Sequence, residues 1–166
     1  MTALPAIDET DDWLDESLLT VSERPVPARL VPELYPLRYT STMRFADLDV
    51  LGHMNNVAHS ALHEDGRTML AEHAFPKAQR IKGYRHVVAQ NTLHFLSEAF
   101  YPGELTVCAG VGRIGGKSFV TSTALFSEGR CVSLADTVMV IQQDGRNVAI
   151  SQADRRALLE LRLGRD

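Results

Sequence analysis

With 166 residues the chain is long enough for one domain with a proper core and too short for two ordinary domains joined by a linker. Its formal charge of −4 is uneven: residues 1–20 carry Asp8, Glu9, Asp11, Asp12, Asp15 and Glu16 without a Lys or Arg, so that stretch holds −6 and leaves +2 for the rest. A near-neutral body with an acidic arm gives no electrostatic case for nucleic acid, and no apolar run approaches the ~20 residues of a membrane span. The acidic N-terminus is unlike the basic start of a signal peptide. Cys108 and Cys131 fall in strand-like segments without a disulfide framework, so the reading is a soluble protein with reduced thiols in the cytoplasm.

Residues 1–33 read as an acidic arm punctuated by Pro5, Pro25, Pro27 and Pro32, and residues 34–166 as the folded domain. Within the arm, Trp13, Leu14, Ser17, Leu18 and Val21 form an apolar stripe that predicts either a docked helix over 11–19 or disorder. Leu34 to Leu48 reads as the first strand, with Pro36 near its start. Val57, Ala58, Ala61, Leu62, Met69 and Leu70 then recur at helical spacing, predicting a helix from Asn56 to about His73. Gly66 inside it weakens the helix by about 1 kcal/mol, tolerable where a strand must come close.

Four strand-like segments follow: 84–96, 104–114, 118–126 and 131–142. Tyr101-Pro102-Gly103, Gly115-Gly116 and Glu128-Gly129 separate the four, which predicts an antiparallel meander. Ser151-Gln152-Ala153-Asp154 reads as a capping box opening a short final helix. One amphipathic sheet covering one helix makes a two-layer α+β domain.

The chemistry is expected between the first strand and the helix, in Phe45-Ala46-Asp47-Leu48-Asp49-Val50-Leu51-Gly52-His53-Met54-Asn55-Asn56-Val57. Asn55 or Asn56 is a natural N-cap, and Gly52 allows a sharp turn just before it. The first N–H groups of the helix are then free to meet a carbonyl oxygen gaining negative charge, with Asp49 a few residues away. An acid beside an oxyanion site suits acyl-group chemistry. His53, His59 and His63 raise zinc as a weaker possibility, because Glu64 does not complete an H-E-x-x-H pattern. Gly110 to Ser118 is no phosphate loop, since Val111 stands where a glycine is required and a strand pattern follows instead of a helix.

Asp47-Leu48-Asp49 followed by Gly52, Asn56, His59, Glu64 and Arg67 resembles the signature of the hotdog-fold thioesterases of the 4-hydroxybenzoyl-CoA thioesterase-like family. His53-Met54-Asn55-Asn56-Val57 is also similar to the H-V-N-N stretch of plant acyl-ACP thioesterases, although Leu51 stands where their mechanism has an Asn. The resemblance covers roughly residues 36–145. It implies a hotdog fold, an antiparallel sheet wrapped around a central helix, and hydrolysis of an acyl-CoA or acyl-carrier-protein thioester without cofactor or metal. It makes Asp49 the catalytic carboxylate, as nucleophile or base, with the Asn56 N–H polarising the thioester carbonyl and Glu64 as supporting or rival acid. Asp47 is read as structural. His53, Asn55, Val57 and His59 become substrate-binding candidates, and Arg113, Lys117 and Ser118 resemble the family's turn that meets coenzyme A. The implied assembly is a homodimer or dimer of dimers, with Asp49 of one subunit facing the Arg113–Ser118 turn of another. A hotdog dehydratase and a non-catalytic acyl-CoA-binding protein are the rival readings.

Overall fold

The computed structural model describes residues 25–76 and 82–164, so the stripe around Trp13 lies outside the described residues. The chain enters through two short 3₁₀ turns, Pro27–Leu30 and Pro32–Leu34, each with proline in its first turn. Strand β1 is Leu37–Thr42, shorter than the 34–48 expected. Its end has a local cause. Asp47 takes hydrogen bonds on its carboxylate from the Arg44 backbone N (2.8 Å) and from Arg44 Nη2 (2.6 Å), which closes Phe45–Asp47 into another 3₁₀ turn. That guanidinium holds the Asp47 carboxyl below the usual carboxylate range.

Helix α1 spans Asn56–Ala74 and buries Ala58, His59, His63, Gly66, Leu70 and Ala74, a stripe at i, i+3 and i+4 spacing. The strands after it are β2 (Tyr84–Phe95), β3 (Glu104–Ile114), β4 (Ser118–Ser127), β5 (Arg130–Gln143) and the two-residue β6 (Arg146–Asn147). Helix α2, Gln152–Glu160, starts at an N-cap Ser151 that accepts from Asp154 N, as the capping-box pattern predicts.

The sheet is antiparallel but is not the meander expected from strand order. Its order is β1-β3-β4-β5-β2, with β6 paired to the end of β5. Consecutive hairpins run only from β3 through β4 and β5 to the short β6. β2 pairs with the far side of β5, from Tyr84↔Gln143 to Phe95↔Ser133, and β1 pairs with β3. The segment 96–103 is thus a crossover and not a turn, which its Pro-Gly pair disguises.

This sheet curls around α1, the layout of the hotdog fold. On the concave face, Leu70, Ala74 and Phe75 pack with Val111, Phe119 and Ile141 toward the helix C-terminus, while Met54 and Ala58 pack with Leu105, Val107 and Leu125 toward its N-terminus. On the convex face, Tyr35 and Leu163 cover Cys108, Phe126 and Leu134. There Arg29 is fully buried, and its guanidinium meets Asp136 at 3.1 and 3.2 Å and Tyr35 Oη at 3.0 Å, the pairing that a buried charge requires. No described helix is long and apolar enough to cross a membrane.

Candidate active site

The loop that carries Asp49 is held by its own backbone. Leu48 and Met54 form a bridge, Asp49 N donates to His53 O (3.0 Å), and Gly52, at φ +84, donates to Asp49 O (3.1 Å). That positive φ is where glycine is favoured over any side chain. The Asp49 carboxylate accepts from Leu51 N through Oδ1 (2.8 Å), and its Oδ2 lies 3.3 Å from His53 Nδ1. His53 in turn has Glu98 Oε1 3.8 Å from its Nε2, so the imidazole lies between two carboxylates.

Asn55 is the N-cap of α1. Its Oδ1 accepts from Ala58 N at 2.8 Å and its Nδ2 donates to Asp47 O at 2.8 Å, tying the helix start to the turn before the loop. Asn56 and Val57 are the first two helical residues, whose N–H groups have no acceptor within the helix. The positive end of the helix dipole adds to their attraction for a developing oxyanion.

A groove of about 460 Å³ is lined by Asp49, His53, Asn56, His59, Phe95 and Glu98, among others. It lies between the helix N-terminus and the end of β2. Four expected site residues, Asp49, His53, Asn56 and His59, therefore share one cavity. Asn55 stands behind it as a cap, and Val57 is 71% exposed and does not line it.

Glu64 is placed elsewhere. It lies 3.4 Å from Arg67 Nη2 and lines a second groove further along the same flank, with Tyr84, His86 and Asp154. Arg113, Lys117 and Ser118 sit at the β3–β4 hairpin, at the opposite end of the sheet from Asp49. α2 braces that hairpin: Arg155 Nη2 donates to Gly115 O at 2.8 Å, and Ile150 N donates to Gly116 O at 2.9 Å. Within one chain these residues do not meet Asp49.

Sequence reasoning passed over Ser133 and Thr123, the hydroxyls packed behind His59 of the first groove. His59 Nδ1 lies 2.8 Å from Ser133 Oγ, and His63 lies 2.9 Å from Ser133 Oγ and 2.7 Å from Thr123 Oγ1. Their signal was present: Thr121, Thr123, Ser133 and Thr137 occupy alternate, helix-facing positions of β4 and β5, opposite two histidines four residues apart. Three imidazole nitrogens are thus engaged by hydroxyls. Among the described residues no group of three His, Cys, Asp or Glu side chains is arranged to hold a metal ion. Burial pushes the thiols of Cys108 and Cys131 up to about 12, far from a reactive thiolate.

A sheet curled around one helix, with a carboxylate and a helix N-terminus sharing a groove at its open end, defines a hotdog domain. Residues 43–158 match the thioesterase-like superfamily, and the chain belongs to that family. Among curated proteins, no sequence is significantly similar to it. Solved structures are similar over most of the chain. The PA5185 protein of Pseudomonas aeruginosa is 26% identical, covering 82% of this chain and 98% of that one at a TM-score of 0.70. A Thermus thermophilus thioesterase complexed with coenzyme A and zinc is 24% identical (75% and 98% covered, TM-score 0.67). The SAV2348 protein of Staphylococcus aureus, in complex with coenzyme A, is 16% identical (78% and 84% covered, TM-score 0.67).

Proposed function

We propose that this protein hydrolyses an acyl-CoA thioester to the free acid and the CoA thiol. The observation that carries the reading is that Asp49 and Asn56, the first residue of α1, line one groove. With the thioester carbonyl oxygen on the Asn56 N–H, charge developing on that oxygen is stabilised while Asp49 acts on the carbonyl carbon. Asp49 either attacks it, expelling the thiolate and leaving an anhydride for water to cleave, or takes a proton from the attacking water. The Leu51 N–H holds one oxygen of that carboxylate and His53 lies 3.3 Å from the other. Family membership and the coenzyme A bound in related folds support a CoA thioester as substrate, with an acyl-carrier-protein thioester as the finer alternative.

The active unit in this reading is at least a homodimer. β2 is an edge strand whose Val88 and Phe95 are about half exposed, a surface that invites pairing with a second copy. Such pairing brings the partner's hairpin to the open flank, where Arg113, Lys117 and Ser118 would serve the anionic CoA. A monomeric mass by light scattering at micromolar concentration contradicts the assembly. The activity itself is tested by thiol release from acyl-CoAs of graded length, aliphatic and aromatic. If several members bind and none releases thiol, the protein is a non-catalytic acyl-CoA binder.

A further inference from the structure

Hydrolysis by a carboxylate and a helix N-terminus leaves unexplained the polar cluster behind His59 in the Asp49 groove. His59 and His63 are 4% and 1% exposed, and burial, reinforced by neighbouring positive charge, holds them down to about 4 and about 3, so both rings are neutral near pH 7. A neutral imidazole has one N–H and one lone pair, so each bond in the chain fixes the next. Thr123 Oγ1 lies 2.7 Å from His63 Nδ1 and 3.5 Å from the carbonyl oxygen of Ala135; with its proton on that carbonyl it accepts from His63 Nδ1–H. His63 Nε2 then accepts from the Ser133 hydroxyl, and Ser133 Oγ accepts from His59 Nδ1–H. The lone pair left over is that of His59 Nε2. It has no hydrogen-bond partner among the described residues, and the ring lines the groove, edge-on to Phe95 at 5.3 Å between centroids.

Resting on the thioesterase reading of this groove, we propose that His59 Nε2 receives a hydroxyl of the acyl group, making the substrate a thioester hydroxylated within two or three carbons of its carbonyl. His59 follows Asn56 by three residues, so it lies roughly 4.5 Å further along the helix axis, at about 1.5 Å per residue. A carbonyl oxygen on the Asn56 N–H carries a hydroxyl two carbons further on into that range. A plain alkyl chain instead covers the lone pair with hydrocarbon and strips its water without replacement. Ser133, His63 and Thr123 act by positioning, since they hold His59 in the tautomer that accepts.

The test is the ratio of kcat/KM for matched pairs, 3-hydroxybutyryl-CoA against butyryl-CoA and 3-hydroxyoctanoyl-CoA against octanoyl-CoA. The wild type is expected to favour the hydroxylated member by at least about tenfold, because an acceptor built for a hydroxyl rejects its absence. His59→Phe keeps the ring and should bring the ratio close to one. Ser133→Ala frees the tautomer and should lower the ratio, which keeps the question answerable if His59→Phe fails to fold. A wild-type ratio near one in both pairs overturns the proposal, as does a ratio that neither variant changes. If the wild type releases thiol from no member, thioester hydrolysis falls on its own. The same pairs are then compared by dissociation constant in calorimetry, where equal affinities overturn the subsite and a preference lost in His59→Phe upholds it.

Discussion

Between Gly66 and Ala74, α1 meets the sheet through Leu70 and Ala74 against Val111, Phe119 and Ile141. Between Asn56 and His63 it meets the same sheet partly through two imidazoles on Ser133 and Thr123. The apolar half gains burial energy from every contact. The polar half gains little net, because each of its hydrogen bonds replaces one to water and its rings are desolvated as well. A helix that can bury leucine along its whole length has no stability reason to bury histidines at one end. The difference separates a half that holds the fold from a half that faces the groove, and this division can be broken experimentally.

The largest expected effect is in the groove beside the polar half. Asp49→Asn keeps the shape and the Leu51 turn while removing the charge, so turnover should fall by roughly 10²–10⁴-fold with KM little changed. Thermal melting should barely move, since this carboxylate is partly exposed. Glu64→Gln, in the other groove, is the matched control and should retain most of the rate. If the loss is confined to Glu64→Gln, the acid has been assigned to the wrong groove and the two halves exchange roles. In the apolar half the expected effects reverse. Leu70→Ala should destabilise by about 2–5 kcal/mol in urea unfolding, while activity per folded molecule stays near wild type.

A smaller effect distinguishes the halves by pH. Unfolded histidines take up protons below their ordinary value of 6.5, whereas folded His59 and His63 stay neutral to about 4 and about 3, burial being the main cause. Between pH 6.5 and 4 the unfolded chain binds more protons, so stability is full above 6.5 and declines as pH falls. The slope is on the order of 1 kcal/mol per pH unit for His63 and less for His59, which borders the solvent of the groove. His63→Phe should flatten that slope in urea titrations from pH 7.5 to 5. An unchanged slope means that the His63 ring is not held neutral.

Much of this architecture is legible in the sequence where local chemistry decides it. β3 is read residue for residue because Pro102-Gly103 and Gly115-Gly116 bound it, and α1 because its cap and its apolar period agree. The Asp49–Asn56 loop is legible as a motif, since the cap, the Gly52 turn and the carboxylate all lie within a few residues. β1 is over-read because Arg44 and Asp47 close the chain through side chains that strand alternation does not register. The placement of β2 beside β5 is also hidden, being decided by which concave surface covers α1 and not by the loop before β3. Ser133 joins His59 and His63 across some seventy residues of chain, and only the folded sheet brings them together.

The smallest effect lies where the two halves of α1 meet. A Cβ at Gly66 would stand 3.1 Å from Val107 Cγ1 and 3.2 Å from Thr123 Cγ2, the close approach that favours glycine within the helix. Gly66→Ala gains about 1 kcal/mol of helix propensity, but it must push the helix away from β3 and β4, an overpacking that typically costs about 1–3 kcal/mol. The expected net is a loss on the order of 1 kcal/mol in urea midpoint. Thr123 ends the His63 chain, so the same push loosens the polar half, and the rate should fall modestly as well. Both nearest atoms are side-chain tips and the closest backbone atom, Cys108 O, is an ordinary 3.7 Å away, so the clash can be relieved. In a Val107→Ala background, Gly66→Ala should therefore become stabilising. If it still destabilises there, the Thr123 methyl and not Val107 is the contact that sets the spacing between the helix and the sheet at Gly66.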